Sequence, residues 1–358
     1  MSGGVDSSVA AAILLRQGFD VLGAFMRLGT PDGVQTADAC DPTARRGCCS
    51  VRDADDARRV AGILGIPFYV LNFQDDFARV IDYFVAEYNA GRTPNPCIRC
   101  NDWLKFGKLA GYAEACGAEF VASGHYARIG TDPLSGRKLL LRGKDLQKDQ
   151  SYVLFGIPSD AIQHTLFPVG ELEKSEVRAL AQELGLPVFD KPDSQEICFV
   201  PDNDYAALVR RRSPQAFARG AFVDPQGNIL GAHEGHQHFT IGQRKGLGIA
   251  LGQRAYVTAI DPAGNRVTLG EKSDLLHSDL EAAEVNRVHP LAKGATDLPC
   301  LAKVRYNQQP QPAQLSMLSG NRMHVRFEQP QSAITPGQGA VAYLDDALLC
   351  GGWIDKVW

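Results

Sequence analysis

The stretch Ser2-Gly3-Gly4-Val5-Asp6-Ser7-Ser8, almost at the start of the chain, decides the fold. Its two glycines let backbone N–H groups approach an anion closely, and its serines add short hydrogen-bond donors. An apolar stripe that stops at Gly18 predicts a helix directly after the stretch, with its positive end facing the same anion. The stretch has neither the lysine of a Walker loop nor GxGxxG spacing. We therefore expect a pyrophosphate-binding loop of another kind.

A loop of this type normally follows a buried strand, because ligands of open α/β sheets bind beyond the carboxyl ends of the strands. Only Met1 precedes it here. We expect that a first strand of about 5–10 residues is missing from this N-terminus. The alternative is a sheet that lacks this strand.

The composition is that of a soluble globular protein of two or three domains: of 358 residues, 44% are hydrophobic and 22% are charged. Neither a span of about 18 apolar residues nor a signal peptide is found, which predicts a cytoplasmic protein without membrane attachment. The nine cysteines argue against a secreted disulfide framework and favour nucleophiles or metal ligands. The net charge of −4 argues against nonspecific nucleic-acid binding, although local patches could still bind RNA.

Strand and helix signals alternate up to about residue 205 and predict an α/β domain, with a doubly wound, mostly parallel sheet. The expected strands cover 21–26, 68–73, 119–123 and 138–142, and the expected helices cover 53–64, 75–88, 101–116 and 175–184. The Ser2–Ser8 loop, Met26 and Gly124-His125 would then meet along one sheet edge. This convergence predicts a nucleotide pocket.

Short apolar alternations and turn residues dominate the rest of the chain. We expect a catalytic domain over residues 1–205, a small β-rich domain over 206–272 and a C-terminal β-barrel domain over 273–358. The barrel would have about six strands, one of them over 301–306.

Two segments carry the cysteines of greatest chemical interest. In Thr93-Pro94-Asn95-Pro96-Cys97-Ile98-Arg99-Cys100-Asn101, two prolines stiffen the backbone before two cysteines at an apparent helix start. The helix dipole and Arg99 would stabilise a thiolate there. In Asp193-Ser194-Gln195-Glu196-Ile197-Cys198-Phe199, a lone cysteine lies in a polar segment. We favour reactive thiols, Cys100 and Cys198, that meet at one active site.

Other interpretations of the cysteines and histidines stay open. Cys97, Cys100 and Cys198 could ligate an iron–sulfur cluster, and the CxxC pair could be half of a zinc site. The remaining cysteines in apolar settings (Cys116, Cys300 and Cys350) are expected to fill the core. The histidines of one glycine-bearing loop (His233, His236 and His238) could bind zinc, but are expected to be structural or to face RNA.

The motifs, taken in order, resemble those of the tRNA-specific 2-thiouridylases over essentially the whole chain. They are SGGVDSS, Gly47-Cys48-Cys49-Ser50, TPNPCIRCN, ASGHYAR, Lys148-Asp149-Gln150-Ser151-Tyr152, SQEICFV, FTIGQRKGLGI and Val304-Arg305-Tyr306. The first also resembles the loop of ATP pyrophosphatases, which implies a HUP-like fold for the first domain. The family adds sulfur at position 2 of the wobble uridine in certain tRNAs.

The resemblance implies an ATP site in which the Ser2–Ser8 loop holds the pyrophosphate and Asp6 helps to position Mg²⁺. Met26 and Gly124 would bound the adenine and the ribose. Cys198 would carry a persulfide sulfur received from a sulfur-relay protein or a cysteine desulfurase. Cys100 would complete the sulfur transfer, leaving a disulfide between the two cysteines until a reductant resets it.

The resemblance also assigns residues to tRNA. Asn95-Pro96-Cys97 would contact the flipped-out target base, although some family members have aspartate in place of Cys97. The other assigned residues are His125, Lys148, Asp149, Gln150, Arg305, Tyr306 and Gln338. Without the resemblance, the charged ones would be interpreted as a solvated surface. Arg210-Arg211-Arg212 and Gln243-Arg244-Lys245 are basic patches suited to the tRNA backbone.

Two rival functions remain. An amide-forming synthetase would share the loop but needs an ammonia source and no paired thiols. A noncatalytic RNA-binding protein would keep the nucleotide fold without turnover. We expect the protein to be a monomer.

Overall fold

The computed structural model describes residues 1–29, 51–133, 135–193, 197–200, 204–250 and 252–358. The sequence motifs at Cys48-Cys49 and Ser194-Gln195-Glu196 lie outside this part of the chain. The chain forms two compact units. The first comprises residues 1–80, 97–203 and 346–348, and the second comprises residues 81–96, 204–345 and 349–358.

The first two hundred residues alternate helices and strands. They are α1 (Val5–Arg16), β1 (Gly23–Arg27), α2 (Val51–Leu64), β2 (Phe68–Asn72), α3 (Gln74–Asn89), α4 (Pro96–Arg99), α5 (Leu109–Ala115), β3 (Val121–Ala122), β4 (Ala127–Thr131), β5 (Lys138–Arg142), α6 (Ser159–Ile162), β6 (Thr165–Leu166) and α7 (Lys174–Glu183). Helix α1 ends before Gly18. The φ of Gly18 is +86°, a conformation that residues with a side chain rarely adopt. Val5 and Val9 of α1 are buried together with Val177 and Ala181 of α7.

Among the described residues of the first unit, parallel pairing occurs in two pairs of strands. Strand β1 pairs with β2, from Gly23 opposite Phe68 onward, and β3 pairs with β6. Strand β5, expected in the parallel sheet, instead forms an antiparallel hairpin with β4. The expectation of strand alternating with helix is correct here, but the parallel partner expected for β5 is wrong. A short turn between β4 and β5 permits only an antiparallel connection.

The helix expected over 101–116 begins earlier, at Pro96. A proline fits the first helical position because its missing N–H would have no partner there. Between α4 and α5 the helix widens into a nine-residue π-helix, Cys100–Lys108. Such widening is rare and is frequently found at functional sites. Cys100, the predicted nucleophile, is its first residue.

The second unit contains a small four-stranded sheet. After α8 (Tyr205–Arg212), it comprises β7 (Gly220–Val223), β8 (Ile229–His233), β9 (Tyr256–Asp261) and β10 (Arg266–Gly270), in the order β8-β7-β10-β9. The rings of Phe222, His233 and Phe239 pack edge to face, with centroids 5.0–5.3 Å apart. Together with Val257 and Val267, they form its core.

A closed six-stranded barrel completes the second unit, which confirms the expected barrel. Its strands are β11 (Leu276–Arg287), β12 (Leu298–Lys303), β13 (Gln311–Leu318), β14 (Arg322–Ser332), β15 (Gly339–Leu344) and β16 (Ala347–Val357). They follow the order β11-β14-β13-β12-β15-β16, and β16 pairs back with β11. The strand expected over 301–306 ends at Lys303, because Gln308 N–H bonds to the Arg305 carbonyl in a turn. Within the described residues, no helix is long and apolar enough to cross a membrane.

Candidate active site

The Ser2–Ser8 loop leads into the N-terminus of α1. Its N-cap residue, Gly4, forms no side-chain capping bond, so the first N–H groups of α1 remain available to an anion. The hydroxyls of Ser2 and Ser7 lie 3.1 Å apart at the loop. Ser8 is buried and donates to the Gly4 carbonyl at 2.8 Å, and Val5 belongs to the core. The loop therefore has a phosphate-facing part and a structural part.

Two glycines allow the backbone to come close at this loop. A Cβ at Gly3, whose φ is +74°, would lie 2.3 Å from the Asp53 carbonyl oxygen. A Cβ at Gly124 would lie 2.5 Å from the backbone nitrogen of Ser7. The structure thus brings Gly124 to the loop, as expected. Met26 lies half-buried in β1, opposite Leu71.

Lys174, the first residue of α7, connects the loop to the segment that leads to Cys198. Its ammonium lies 2.7 and 2.9 Å from the two carboxylate oxygens of Asp6 and 2.9 Å from Asp193. The Tyr126 hydroxyl donates to Asp6 at 2.7 Å. Burial, followed by the Asp6 charge, raises the pKa of Tyr126 and keeps it a donor. A cation therefore lies beside the first turn of α1 despite the missing Walker lysine.

Asp193 accepts from three cations. Besides the bond from Lys174, its carboxylate accepts hydrogen bonds from the Lys148 ammonium at 2.8 Å and from the Arg178 guanidinium at 2.9 Å. Burial alone would raise the pKa of Asp193, but hydrogen bonds from Lys148 and Lys174 outweigh it and lower the pKa to about 2. The carboxylate is therefore charged at neutral pH and competes with any phosphate for these cations.

Lys191 ties the loop to α2. Its ammonium donates to the Gly3 carbonyl at 2.8 Å and to Asp53 and Asp56 at 2.7 and 2.8 Å. Burial alone would lower the pKa of Lys191, but its bonds to these carboxylates raise it. The lysine stays charged and fixes the loop conformation.

The segments of both predicted thiols pack on one stretch of α3. Phe199, which follows Cys198, meets the Phe77 ring with centroids 5.6 Å apart. Trp103, which follows Cys100 by three residues, lies under the Arg79 guanidinium at 4.1 Å. Cys100 and Cys198 are each partly exposed. Their meeting at one site stays a prediction.

The residues assigned to tRNA in the first unit differ in exposure. His125 is buried, with Nδ1 2.7 Å from the Ser123 hydroxyl, and its burial, followed by the Lys105 charge, lowers its pKa well below 6.5. Asp149 is buried and accepts from the N–H groups of Gly143 and Ser151, each at 3.0 Å.

Of the remaining residues in this group, Gln150 accepts from the Tyr126 N–H at 2.9 Å. The Lys148 side chain is 41% exposed. Lys148 can reach a phosphate by exchanging the Asp193 carboxylate for it, whereas the buried Asp149 carboxylate holds the backbone of its own loop.

In the second unit, Arg305 and Tyr306 lie exposed in the turn after β12, and the Lys303 ammonium lies 5.6 Å from the Tyr306 ring centre. Such a ring can stack on a base. Gln338 contacts the backbone that precedes Asn95, Pro96 and Cys97, and Cys97 itself is exposed.

The three histidines of the glycine-bearing loop in the second unit have protein partners. His233 accepts from the Gly235 N–H at 3.1 Å, His236 lies 3.1 Å from the Asn89 carbonyl, and His238 lies 3.2 Å from Arg210. Within the described ranges, no group of three or more histidine, cysteine, aspartate or glutamate side chains is arranged to hold a metal ion.

The residues of the first unit fit a nucleotide triphosphate. An uncapped helix N-terminus, glycines that let neighbouring backbone pack closely on the loop, and a lysine within 3 Å of Asp6 offer N–H groups and a cation to a pyrophosphate. Sequence reasoning missed Lys174, Tyr126 and Lys191. The one signal that could have pointed to Lys174 is the capping box formed by Glu173 and Glu176, which fixes it in the first turn of α7.

Three family descriptions match successive parts of the chain. The tRNA methyl transferase HUP domain matches residues 1–202, the tRNA methyl transferase PRC-barrel domain residues 208–271, and the Aminomethyltransferase beta-barrel domain residues 278–354. The expected fold class is thereby confirmed. A HUP-type domain with this phosphate loop defines an ATP-utilising class of enzyme.

Full-length relatives narrow the class. The tRNA-specific 2-thiouridylase MnmA of Clostridium acetobutylicum is 47% identical over 355 residues, 99% of this chain and 98% of that protein. Those of Clostridium perfringens and Desulforamulus reducens are each 47% identical over 358 residues, covering 97% and 96% of their own lengths. The chain belongs to the tRNA-specific 2-thiouridylase family. Among solved structures, an NMN synthetase from Francisella tularensis is 17% identical over 60% of this chain and 74% of that one, and its TM-score of 0.32 is too low to add to the argument.

Proposed function

We propose that this chain is a tRNA-uridine 2-sulfurtransferase that produces 2-thiouridine, AMP and pyrophosphate. The 2-carbonyl carbon of uracil is a poor electrophile without a good leaving group, and adenylation turns its oxygen into part of AMP. The observation that carries the proposal is the ion-pair chain Asp6–Lys174–Asp193, because it connects the nucleotide loop to the segment of the sulfur-carrying Cys198.

The nucleotide is held by the Ser2–Ser8 loop, with its pyrophosphate at the N-terminus of α1. Lys174 neutralises phosphate charge. Asp6 would hold Mg²⁺, directly or through water, and the ion would neutralise further phosphate charge. Gly124 and Met26 bound the ribose and adenine through their backbones. Exchange of the Asp193 carboxylate for phosphate at Lys174 accompanies ATP binding.

The sulfur chemistry uses two thiols. The terminal sulfur of a Cys198 persulfide forms the new bond to C2, and AMP departs with the uridine oxygen. The Cys100 thiolate attacks the remaining Cys198 sulfur, so the S–S bond of the persulfide breaks and a Cys100–Cys198 disulfide forms. Alternatively, Cys100 attacks first and releases the sulfur as bound sulfide. A dithiol reductant supplies the two electrons that reset the disulfide.

Cys97 stands where some family members have aspartate, so an aspartate role as acid–base catalyst is not transferred. With Cys100 and Cys198, it could instead hold an iron–sulfur cluster. Anaerobic purification with iron analysis and an absorption spectrum decides between cluster and thiols. Iron at less than one-tenth of the protein concentration would favour the thiol mechanism.

The sulfur chemistry requires two partners. One is the tRNA substrate, and the other is a sulfur-relay protein or cysteine desulfurase that transfers sulfur to Cys198. The proposal further includes action in the cytoplasm as a monomer. His125, Lys148, Asp149, Gln150, Arg305, Tyr306 and Gln338 contribute to the tRNA site, and Asn95, Pro96 and Cys97 contact the target base.

The decisive experiment is substitution of the two thiols. In Cys100→Ser and Cys198→Ser we expect 2-thiouridine, measured by nucleoside mass spectrometry, to fall at least 1,000-fold on the scale typical of a lost nucleophile, about 10³–10⁶. Because neither thiol holds the nucleotide, the Kd for ATP should stay within twofold. The matched control is Cys116→Ser. The expectation that Cys116 fills the core is wrong, because this cysteine is exposed directly after α5.

Retained thiolation in Cys198→Ser would remove the carrier role. Pyrophosphate release measured with and without tRNA separates the rivals. An amide-forming synthetase would keep its activity after alkylation of Cys100, and a noncatalytic RNA-binding protein would release no pyrophosphate at all.

A further inference from the structure

Asn101, the residue after Cys100, is a buried amide in the first turn of the π-helix. Leu104 and Phe106 are buried on the same helix, and Asn101 is only 2% exposed. Its side-chain Nδ2 donates to the Val153 carbonyl at 2.8 Å. Because a carbonyl can only accept, this contact fixes which way the amide points. A polar donor therefore lies at a position that an apolar side chain could fill.

The other amide atom of Asn101 makes this residue an unfavourable choice for packing alone. Its Oδ1 is also buried, and among the described residues no donor bonds to it. Burying an acceptor without a partner destabilises a fold. A leucine would place a side chain of the same branching there without such an acceptor. What the amide contributes is therefore the bond from Nδ2 to Val153.

The carbonyl that Asn101 contacts belongs to a firmly bonded turn. Val153 lies in the short 3₁₀-helix Ser151–Leu154, which is buried throughout. The Asp149 carboxylate accepts from the N–H of Ser151 at 3.0 Å and from its hydroxyl at 3.1 Å. These bonds fix the start of the turn. The turn is therefore a stable support for the bond from Asn101.

A chain of hydrogen bonds connects this turn to the nucleotide loop. The Val153 N–H donates to the Gln150 carbonyl at 3.1 Å, and the Gln150 N–H donates to the Tyr126 carbonyl at 2.8 Å. The Tyr126 N–H donates to the Gln150 side chain at 2.9 Å, and the Tyr126 hydroxyl donates to Asp6 at 2.7 Å. All of these residues belong to the first compact unit. The bond from Asn101 therefore joins the π-helix to the first turn of α1.

We propose that Asn101 is a positioning residue, which fixes Cys100 relative to the nucleotide loop by bonding the start of the π-helix to Val153. This inference rests on the proposed function, in which Cys100 completes the sulfur transfer. Asn101 acts through the backbone that it shares with Cys100 and does not touch the reacting atoms.

The test removes the donor of Asn101. In Asn101→Leu the Val153 carbonyl loses its bond, so the start of the π-helix shifts and Cys100 moves with it. A displacement of about 1 Å can lower a rate about 100-fold. We expect single-turnover formation of 2-thiouridine to fall about 10- to 100-fold. Single-turnover release of pyrophosphate should stay within twofold, because adenylation does not use Cys100.

A second measurement does not depend on activity. Iodoacetamide labels thiolates, and peptide mass spectrometry follows Cys100 and the exposed Cys116 separately. In Asn101→Leu we expect the labelling rate of Cys100 to change at least threefold and that of Cys116 to stay the same. Asn101→Ser is too short to reach Val153 and adds no apolar group. It should give the same results, and it decides the question if Asn101→Leu does not fold.

The matched control is Thr165→Val. Thr165 is buried, and its hydroxyl donates to the Ala161 carbonyl at 2.8 Å. The substitution therefore also removes a buried side-chain donor from a backbone carbonyl, and it keeps the shape of the side chain. We expect Thr165→Val to lose stability in chemical denaturation. Its thiolation rate and the labelling rate of Cys100 should stay within twofold of the unsubstituted enzyme.

Three results would overturn the proposal. One is an unchanged labelling rate of Cys100 in a folded Asn101 variant. Another is an equal loss of thiolation in Thr165→Val, because Asn101 would then contribute only to stability. The third is a loss of pyrophosphate release as large as the loss of thiolation. If the unsubstituted chain makes no 2-thiouridine, the proposed function fails, and the labelling rates still decide whether Asn101 positions Cys100.

Discussion

Lys174 lies between two carboxylates, 2.7 Å from Asp6 and 2.9 Å from Asp193. In Lys174→Met we expect the KM for ATP to rise about 10- to 100-fold, because a hydrogen bond to a charged group contributes about 1.5–3 kcal/mol. The Kd for tRNA should stay within twofold. Steady-state pyrophosphate release at varied ATP measures the change.

The control for this prediction is Lys144→Met. Lys144 lies 3.5 Å from Glu176 on an exposed surface, where an ion pair contributes little, so its KM for ATP should not change. An unchanged KM in Lys174→Met would limit that lysine to a role in the fold.

At the residue scale, the sequence identifies groups whose chemistry is local. Gly3 and Gly124 were predicted because a glycine-rich loop and a strand end have recognisable neighbours. Lys174 was missed because its role depends on a tertiary contact with Asp6, 168 residues away. No spacing rule relates two such residues.

At the element scale, the π-helix Cys100–Lys108 is one feature that the sequence did not predict. A Cβ at Gly107 would lie 2.7 Å from the Asp102 carbonyl oxygen, so the wide turn has no room for a side chain. In Gly107→Ala we expect a loss of about 1–3 kcal/mol in the free energy of unfolding, as for other overpacked sites. Because Cys100 begins the same helix, thiolation should fall as well. Chemical denaturation and nucleoside analysis measure the two effects.

Gly111→Ala provides the comparison, since nothing lies within 4 Å of a Cβ at that exposed position of α5. Alanine there should stabilise the protein by up to about 1 kcal/mol. Equal stability losses in the two variants would contradict the steric explanation.

Helices with an apolar stripe, such as α3 and α7, were predicted within one or two residues because their period is a local property. Strand β4 was missed, and β5 was given the wrong partner. Pairing depends on which strands meet, and short apolar runs do not encode that.

At the scale of the molecule, the regular spacing of short strands in the sequence predicts a barrel. The same spacing does not predict the order in which those strands pair. The division into domains over 1–205, 206–272 and 273–358 stays a prediction. The assignment of tRNA contacts to particular side chains also stays a prediction. The sequence does not distinguish an exposed arginine that binds RNA from one that is only solvated.

The net charge of −4 makes local patches the source of any tRNA affinity. Arg211 is exposed in α8, and Lys245 is exposed in the glycine-bearing segment before β9. If each neutralises one phosphate, Arg211→Gln and Lys245→Gln should each reduce the slope of log Kd against log salt by about 1. Lys293→Gln, at an exposed position after β11, should leave the slope unchanged. Filter binding at salt concentrations from about 50 to about 200 mM measures the Kd for tRNA and resolves such a difference in slope. Equal slopes in all three variants would place the tRNA backbone elsewhere on the surface.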